Sequence, residues 1–290
     1  MTPQGKLIAV GGAEDKGTDL EAGIIQRSHL NFFELGILKT ITTLLSGKDS
    51  RIEVVTTASS IPDEVGENYL SAFAKLGCSN VSHLRIRTRE EALLPENVER
   101  VRACKAIMFS GGNQLRLSSI FGGTPFLDLV IEKYQNEDFV VAGTSAGAMA
   151  MSNTMIYEGN ATNAHLKGEV KITTGLGFIN GVIIDSHFNK RGRFSRLAQA
   201  VAANPGAIGI GLGEDTGVIV SKGEELQAIG SGSVMVLDGR NIQYNNIADI
   251  DFDEPISVEN IIVHIMAKGN SYNVRTRKFK GQEVVVKSAE

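Results

Sequence analysis

The chain has 290 residues, 42% of them apolar, with a net charge of −4 and a pI near 5.8. That is enough to bury the core of one large α/β domain, and the acidic balance argues against a nucleic-acid or anionic-membrane surface as its main business. No apolar stretch approaches the ~20 residues of a bilayer span, and the apolar run within Met1–Ala13 falls short of the ~7–15 residues of a secretory signal. The two cysteines, Cys78 and Cys104, stand outside any CxxC or ligand-like spacing, which points to neither a disulfide framework nor a zinc site. The expectation is a cytoplasmic protein that works without metal or cofactor.

Along the first two-thirds of the chain, short apolar β-branched runs alternate with longer stretches of helical period. This is the pattern of a mostly parallel sheet covered by helices. The predicted strands are Leu7–Val10, Ile52–Thr56, Val81–Ile86, Ala106–Phe109, Phe139–Ala142 and Val182–Ile184. The spacing of Leu30, Phe33, Ile37, Leu38, Ile41 and Leu44 predicts a helix over Ser28–Leu45, and a second runs from about Asp63 to Leu76. After about Ala207 the pattern becomes short strands separated by glycine turns: Ala207–Gly213, Gly217–Ser221, Leu226–Ile229 and Ser233–Leu237. They are read as antiparallel strands at a sheet edge. The apolar run around His264 is helix-like. The expected organisation is a single domain over residues 1–270, with residues 271–290 as a polar tail or edge strand.

The segment Gly143-Thr144-Ser145-Ala146-Gly147 lies between an apolar strand and a run of small helix formers. A nucleophile there must turn sharply out of the sheet, and a Cβ at either flanking position would collide with a neighbouring element. Ser145 is therefore the candidate nucleophile, and the amide of Ala146, at the start of the following helix, is a candidate oxyanion donor. A second glycine turn, Ser110-Gly111-Gly112-Asn113-Gln114, also follows an apolar strand. In a parallel sheet it falls beside Ser145, making Gly112 the other oxyanion candidate and Gln114 a substrate contact. Of five histidines, only His187 ends a strand, which would put it at the same sheet edge as Ser145 and suit it to act as base. Glu214, in Gly213-Glu214-Asp215-Thr216-Gly217, is the candidate orienting acid, with Asp215 as its rival. The order Ser, His, Glu differs from the Ser, acid, His order of the α/β-hydrolases.

Taken together, Gly11–Lys16, Ser110–Gln114, Gly143–Gly147, Asp185–Phe188 and Gly213–Gly217 resemble the cyanophycinases, which share a peptidase group with the aspartyl dipeptidases. The resemblance implies a fold like the class I glutamine amidotransferase domain, a Ser145–His187–Glu214 triad and an exo-acting homodimer. It also implies a substrate: cyanophycin, a poly-aspartate bearing an arginine on each side-chain carboxyl, cut to β-Asp-Arg dipeptides. Arg191, Arg193 and Arg196, directly after His187, suit the carboxylates of such a substrate. Asp185 and Glu169 suit its guanidinium. Ser186 stands where the family pattern often has glutamine, so a substrate contact is expected to be shortened there. Gly11–Lys16 lacks the Gly-Lys-Ser/Thr of a phosphate loop and is read as a structural or pocket-lining turn. An aspartyl dipeptidase with the same triad and a non-catalytic amidotransferase-like binding module are the alternatives.

Overall fold

The fold is taken from a computed structural model that describes residues 2–16 and 36–282. Five parallel strands form its centre: β1 (Lys6–Val10), β2 (Ile52–Val55), β3 (Val81–Leu84), β4 (Ala106–Phe109) and β5 (Val140–Thr144), ordered β3-β2-β4-β5-β1. Helices connect them on both faces: α1 (Ile37–Thr43), α2 (Pro62–Lys75), α3 (Arg89–Ala92), α4 (Pro95–Ala103), α5 (Gln114–Phe121) and α6 (Pro125–Asn136). Proline opens α2, α4 and α6, where its fixed φ suits the first turn and its missing N–H is no loss. Asn113 and Thr124 cap α5 and α6 through side-chain oxygens.

Strand alternation divides the core. Ile8, Val10, Val54, Met108 and Ala142 pack on one face against Ile37 and Ile41 of α1 and Tyr69 and Phe73 of α2. Leu7, Ala9, Ile107, Phe109 and Val141 pack on the other against Leu117, Phe121, Phe126 and Val130. Both faces being covered, β4 and β5 are almost wholly apolar, as is β1 after Lys6, and they cannot be told by a two-residue alternation. Of the helix expected over Ser28–Leu45, Ile37–Thr43 is helical, and residues 28–35 lie outside the described ones. The second predicted helix is α2.

Beyond β5 come a one-turn helix, α7 (Ala146–Met149), the hairpin β6 (Thr154–Glu158) and β7 (Lys171–Thr174), then β8 (Val182–Asp185) and α8 (Phe194–Ala203). The remaining strands are β9 (Ile208–Leu212), β10 (Thr216–Ser221), β11 (Glu225–Gly230), β12 (Val234–Asp238), β13 (Ile262–Met266), β14 (Ser271–Asn273) and β15 (Lys278–Lys280). β10, β11, β14 and β15 extend the parallel sheet antiparallel beyond β1, giving nine strands.

Two sequence expectations are corrected. β8 is not part of the main sheet: with β9 parallel to it, and β12 and β13 antiparallel beyond, it builds a separate four-stranded sheet that α8 covers. The apolar content of β8 reports burial on both faces, which is equally true in either sheet. The run around His264 is β13, an edge strand that alternates between exposed Val263 and Ile265 and partly covered neighbours. The chain crosses from the second sheet to the main one between β9 and β10, at Gly213–Asp215.

Candidate active site

Three segments meet where the two sheets adjoin. Ser145 follows β5 with φ 51° and ψ −111°, a conformation that costs an L-residue about 1–3 kcal/mol and persists only when its surroundings impose it. Those surroundings are close-packed. A Cβ on Gly143 would lie 2.6 Å from the Gly147 backbone, and one on Gly147 would lie 2.3 Å from the Phe109 carbonyl. The flanking glycines thus let the elbow nest against β4.

His187 follows β8, also at positive φ (49°). Its Nε2 lies 3.0 Å from Ser145 Oγ, and its Nδ1 lies 2.8 Å from Glu214 Oε1. An ionised carboxylate only accepts, so Nδ1–H donates to Glu214 and Nε2 is left to accept from the serine hydroxyl. The second oxygen of Glu214 holds Lys190 at 3.1 Å. Burial lowers the pKa of His187 below its ordinary 6.5, helped by the charges of Arg191 and Arg193 and opposed by Glu214. Burial also acts to raise the pKa of Glu214, but hydrogen bonds from His187 and Lys190 outweigh it and hold the carboxyl below its usual range.

The loop leaving β1 holds these segments in register. Ser145 N–H donates to the Val10 carbonyl (2.8 Å), His187 N–H to Gly11 (2.8 Å) and Asp215 N–H to Gly12 (2.9 Å). Gly12, at φ +108°, lies against the catalytic-candidate imidazole: a Cβ there would be 2.4 Å from His187 Cε1. Glu14 is 4% exposed and accepts from Thr144 Oγ1 at 2.6 Å and from the Tyr69 hydroxyl, with Lys16 Nζ 3.1 Å away. Sequence reasoning treated Gly11–Lys16 as a lining turn and missed Glu14. A carboxylate just past the carboxyl end of a central parallel strand is the signal that pointed to it.

A cavity of about 430 Å³ opens at Ser145, lined among others by Glu14, Lys16, Tyr69, Gly112, His187 and Arg191. Gly112 lines the same cavity as Ser145, and a Cβ on the adjacent Gly111 would come within 3.3 Å of Ser145 Cβ. Ala146 begins α7, which is one turn long, so its amide has no macrodipole of a longer helix behind it. Asp215 is not the histidine's partner: its carboxylate accepts from Ser231 Oγ (2.6 Å) and Asp15 N–H (3.3 Å).

Most of the expected substrate contacts lie elsewhere. Asp185 is fully buried and takes Arg196 bidentately, Nε at 2.8 Å and Nη2 on its other oxygen, with Arg193 at 3.2 Å. Arg196 is 4% exposed and also donates to the Gly159 carbonyl, and Arg193 donates to the Ser186 carbonyl at 2.7 Å. The pattern that read as carboxylate and guanidinium recognition is an internal ion cluster that braces the turn presenting His187. Ser186 is 1% exposed, with Oγ 3.1 Å from Met149 Sδ, so it faces the core and not the cavity. Gln114 donates to the carbonyls of Ile156 and Tyr157 on β6. Glu169 accepts from Asn160 N–H. Only Arg191 of the three arginines lines the cavity.

The model of peptidase family S51 matches residues 28–229. The chain belongs to that family. It is a serine peptidase by this membership and by its relatives. It is 34% identical to a cyanophycinase of Synechococcus elongatus over 275 residues, 95% of this chain and 81% of that protein. It is 32% identical to a cyanophycinase of Geminocystis herdmanii over 94% of each. Among solved structures, a peptidase from an acI-B1 Actinobacterium superimposes with a TM-score of 0.67 at 22% identity, covering 94% of this chain and 98% of that one. That likeness supports the mixed α/β fold.

Two outcomes follow from the geometry. In Gly12→Ala the new methyl displaces the imidazole from Ser145, so kcat falls by about 10²–10⁴-fold, the range of a lost general base, while the circular dichroism spectrum is retained; an unchanged kcat would contradict the close approach. Because only neutral His187 accepts the serine proton and its pKa is lowered, the acid limb of kcat/KM lies below pH 6.5. Removing the Arg191 charge shifts that limb upward. A wild-type limb above 6.5, or a downward shift in Arg191→Gln, contradicts the assignment.

Proposed function

We propose that this chain is a cyanophycin-degrading exopeptidase that releases β-Asp-Arg dipeptides, acting as a cytoplasmic homodimer. The observation that carries the proposal is the hydrogen-bonded chain Ser145–His187–Glu214, whose Ser145 and His187 line one cavity, in a protein similar over nearly its whole length to cyanophycinases. Ser145 Oγ attacks the α-peptide carbonyl of the aspartyl backbone as His187 Nε2 takes its proton, with Glu214 holding the ring in the productive tautomer. The amides of Gly112 and Ala146 receive the oxyanion. The imidazolium then protonates the leaving amine, and a water activated by the same histidine hydrolyses the acyl-enzyme. Arg191 supplies the fork for a substrate carboxylate. Two free, buried cysteines are in keeping with a reducing compartment.

The test is incubation with insoluble cyanophycin, and separately with Asp-X dipeptides, with products identified by mass. The expected result is β-Asp-Arg from the polymer only, with Ser145→Ala slower by several orders of magnitude. Cleavage of the dipeptides alone would make the chain an aspartyl dipeptidase, and no turnover of either would make it a binding module.

A further inference from the structure

Within the cavity that holds Ser145, one ammonium is lodged in a small cation site made by the protein itself. Lys16 Nζ sits 3.1 Å from Glu14 Oε1 and 5.0 Å from the centroid of the Tyr69 ring. All three residues line the cavity. A carboxylate and an aromatic face directed at one point are the two groups that hold an organic cation. The site is built and charged. Burial acts to raise the pKa of Glu14, but Lys16 first, then the hydrogen bonds from Thr144 and Tyr69, hold it below the usual carboxyl range. Glu14 and Tyr69 are 4% and 1% exposed, and the Lys16 side chain is 26% exposed. The anionic half is therefore fixed in the wall while the cationic half reaches solvent on a flexible stem, and only the cationic half can be exchanged at small cost.

We infer that Glu14 and Tyr69 form a guanidinium subsite of the active-site cavity, and that Lys16 occupies it as an internal stand-in which the arginine arm of the substrate displaces. This rests on the β-aspartyl-arginine reading of the function. Guanidinium fits better than ammonium. Its planar fork can take the carboxylate and lie along the ring at once, whereas Lys16 meets each with a single point charge. Arg191 enters the same cavity from the segment after His187, so carboxylate and cation recognition come from different segments, as a substrate carrying both charges requires. Displacement exchanges one ion pair for another, so the subsite discriminates against uncharged arms more than it adds raw affinity.

The test compares kcat/KM on a synthetic (β-Asp-Arg)₃ oligomer with that on the same oligomer carrying citrulline, which keeps the shape of arginine and lacks its charge. Wild type is expected to prefer arginine. Lys16→Gln uncovers the carboxylate and raises the arginine-to-citrulline ratio roughly two- to fivefold, the worth of an ion pair whose cation reaches solvent. Glu14→Gln lowers that ratio by roughly 10–100-fold, the loss of a hydrogen bond to a charged group. Because Glu14 also bonds Thr144, the Lys16 variant keeps the inference testable if Glu14→Gln folds poorly. A ratio unmoved by Lys16→Gln overturns the subsite. If wild type cleaves neither oligomer, the function reading fails, and the subsite is judged by calorimetric binding of agmatine. Tighter binding to Lys16→Gln than to wild type supports it, and equal or weaker binding overturns it.

Discussion

Three consecutive carbonyls, those of Val10, Gly11 and Gly12, accept hydrogen bonds from Ser145, His187 and Asp215, and the rest of the site depends on this. The donors lie far apart in sequence and two of the three segments leave the second sheet. Without a shared acceptor strand nothing would bring Ser145, His187 and Glu214 into line. Each donor, and Ala13 in the loop, sits at positive φ, so four non-glycine residues hold conformations that the free chain would avoid. The energy for that strain comes from the buried parallel core around β1, β4 and β5, where every strand residue except Lys6 is covered. The site is rigid because its supporting atoms are backbone, not long side chains.

The same arrangement explains the order of the candidate catalytic residues. In a single doubly wound sheet the acid and base would leave successive strands of that sheet. Here the chain leaves the main sheet after β5, builds β8 and β9 beside it, and returns at Gly213–Asp215. The candidate base is presented after the first strand of the second sheet and the candidate acid where the chain crosses back. The buried carboxylate of Asp185 stands just behind the histidine turn and is shared by the guanidinium groups of Arg193 and Arg196. Removing Asp185 leaves two guanidinium charges uncompensated in the interior, which makes this cluster a structural support of the candidate base and not a surface for ligands.

Much of this was legible in the sequence, for identifiable reasons. Ser145 could be read because the steric demand of the elbow writes two glycines at fixed spacing. His187 and Glu214 could be read because each follows an apolar strand at a sheet end. What could not be read is partnership. A run of arginines has the same appearance whether its counter-charge is a ligand or Asp185, and an apolar strand such as β8 looks the same in either sheet. Glu14 stands in a turn whose sequence shows only that it lacks a phosphate-loop pattern, and its carboxylate acquires partners only when α2 brings Tyr69 and β5 brings Thr144 beside it. The edge strand β13 read as helix-like because its exposed face breaks the apolar continuity that marked the central strands, and β14 and β15 could be read only as a tail or an edge strand for the same reason.

This geometry singles out Ser145 among the serines of the described residues as the candidate for an activated nucleophile. The most direct measurement is reaction with a fluorophosphonate followed by peptide mapping. One phosphonyl group per chain on the peptide bearing Ser145, protected by β-Asp-Arg, is the result the geometry predicts. Modification at another serine, or none at Ser145 under conditions where the protein is folded, would contradict it.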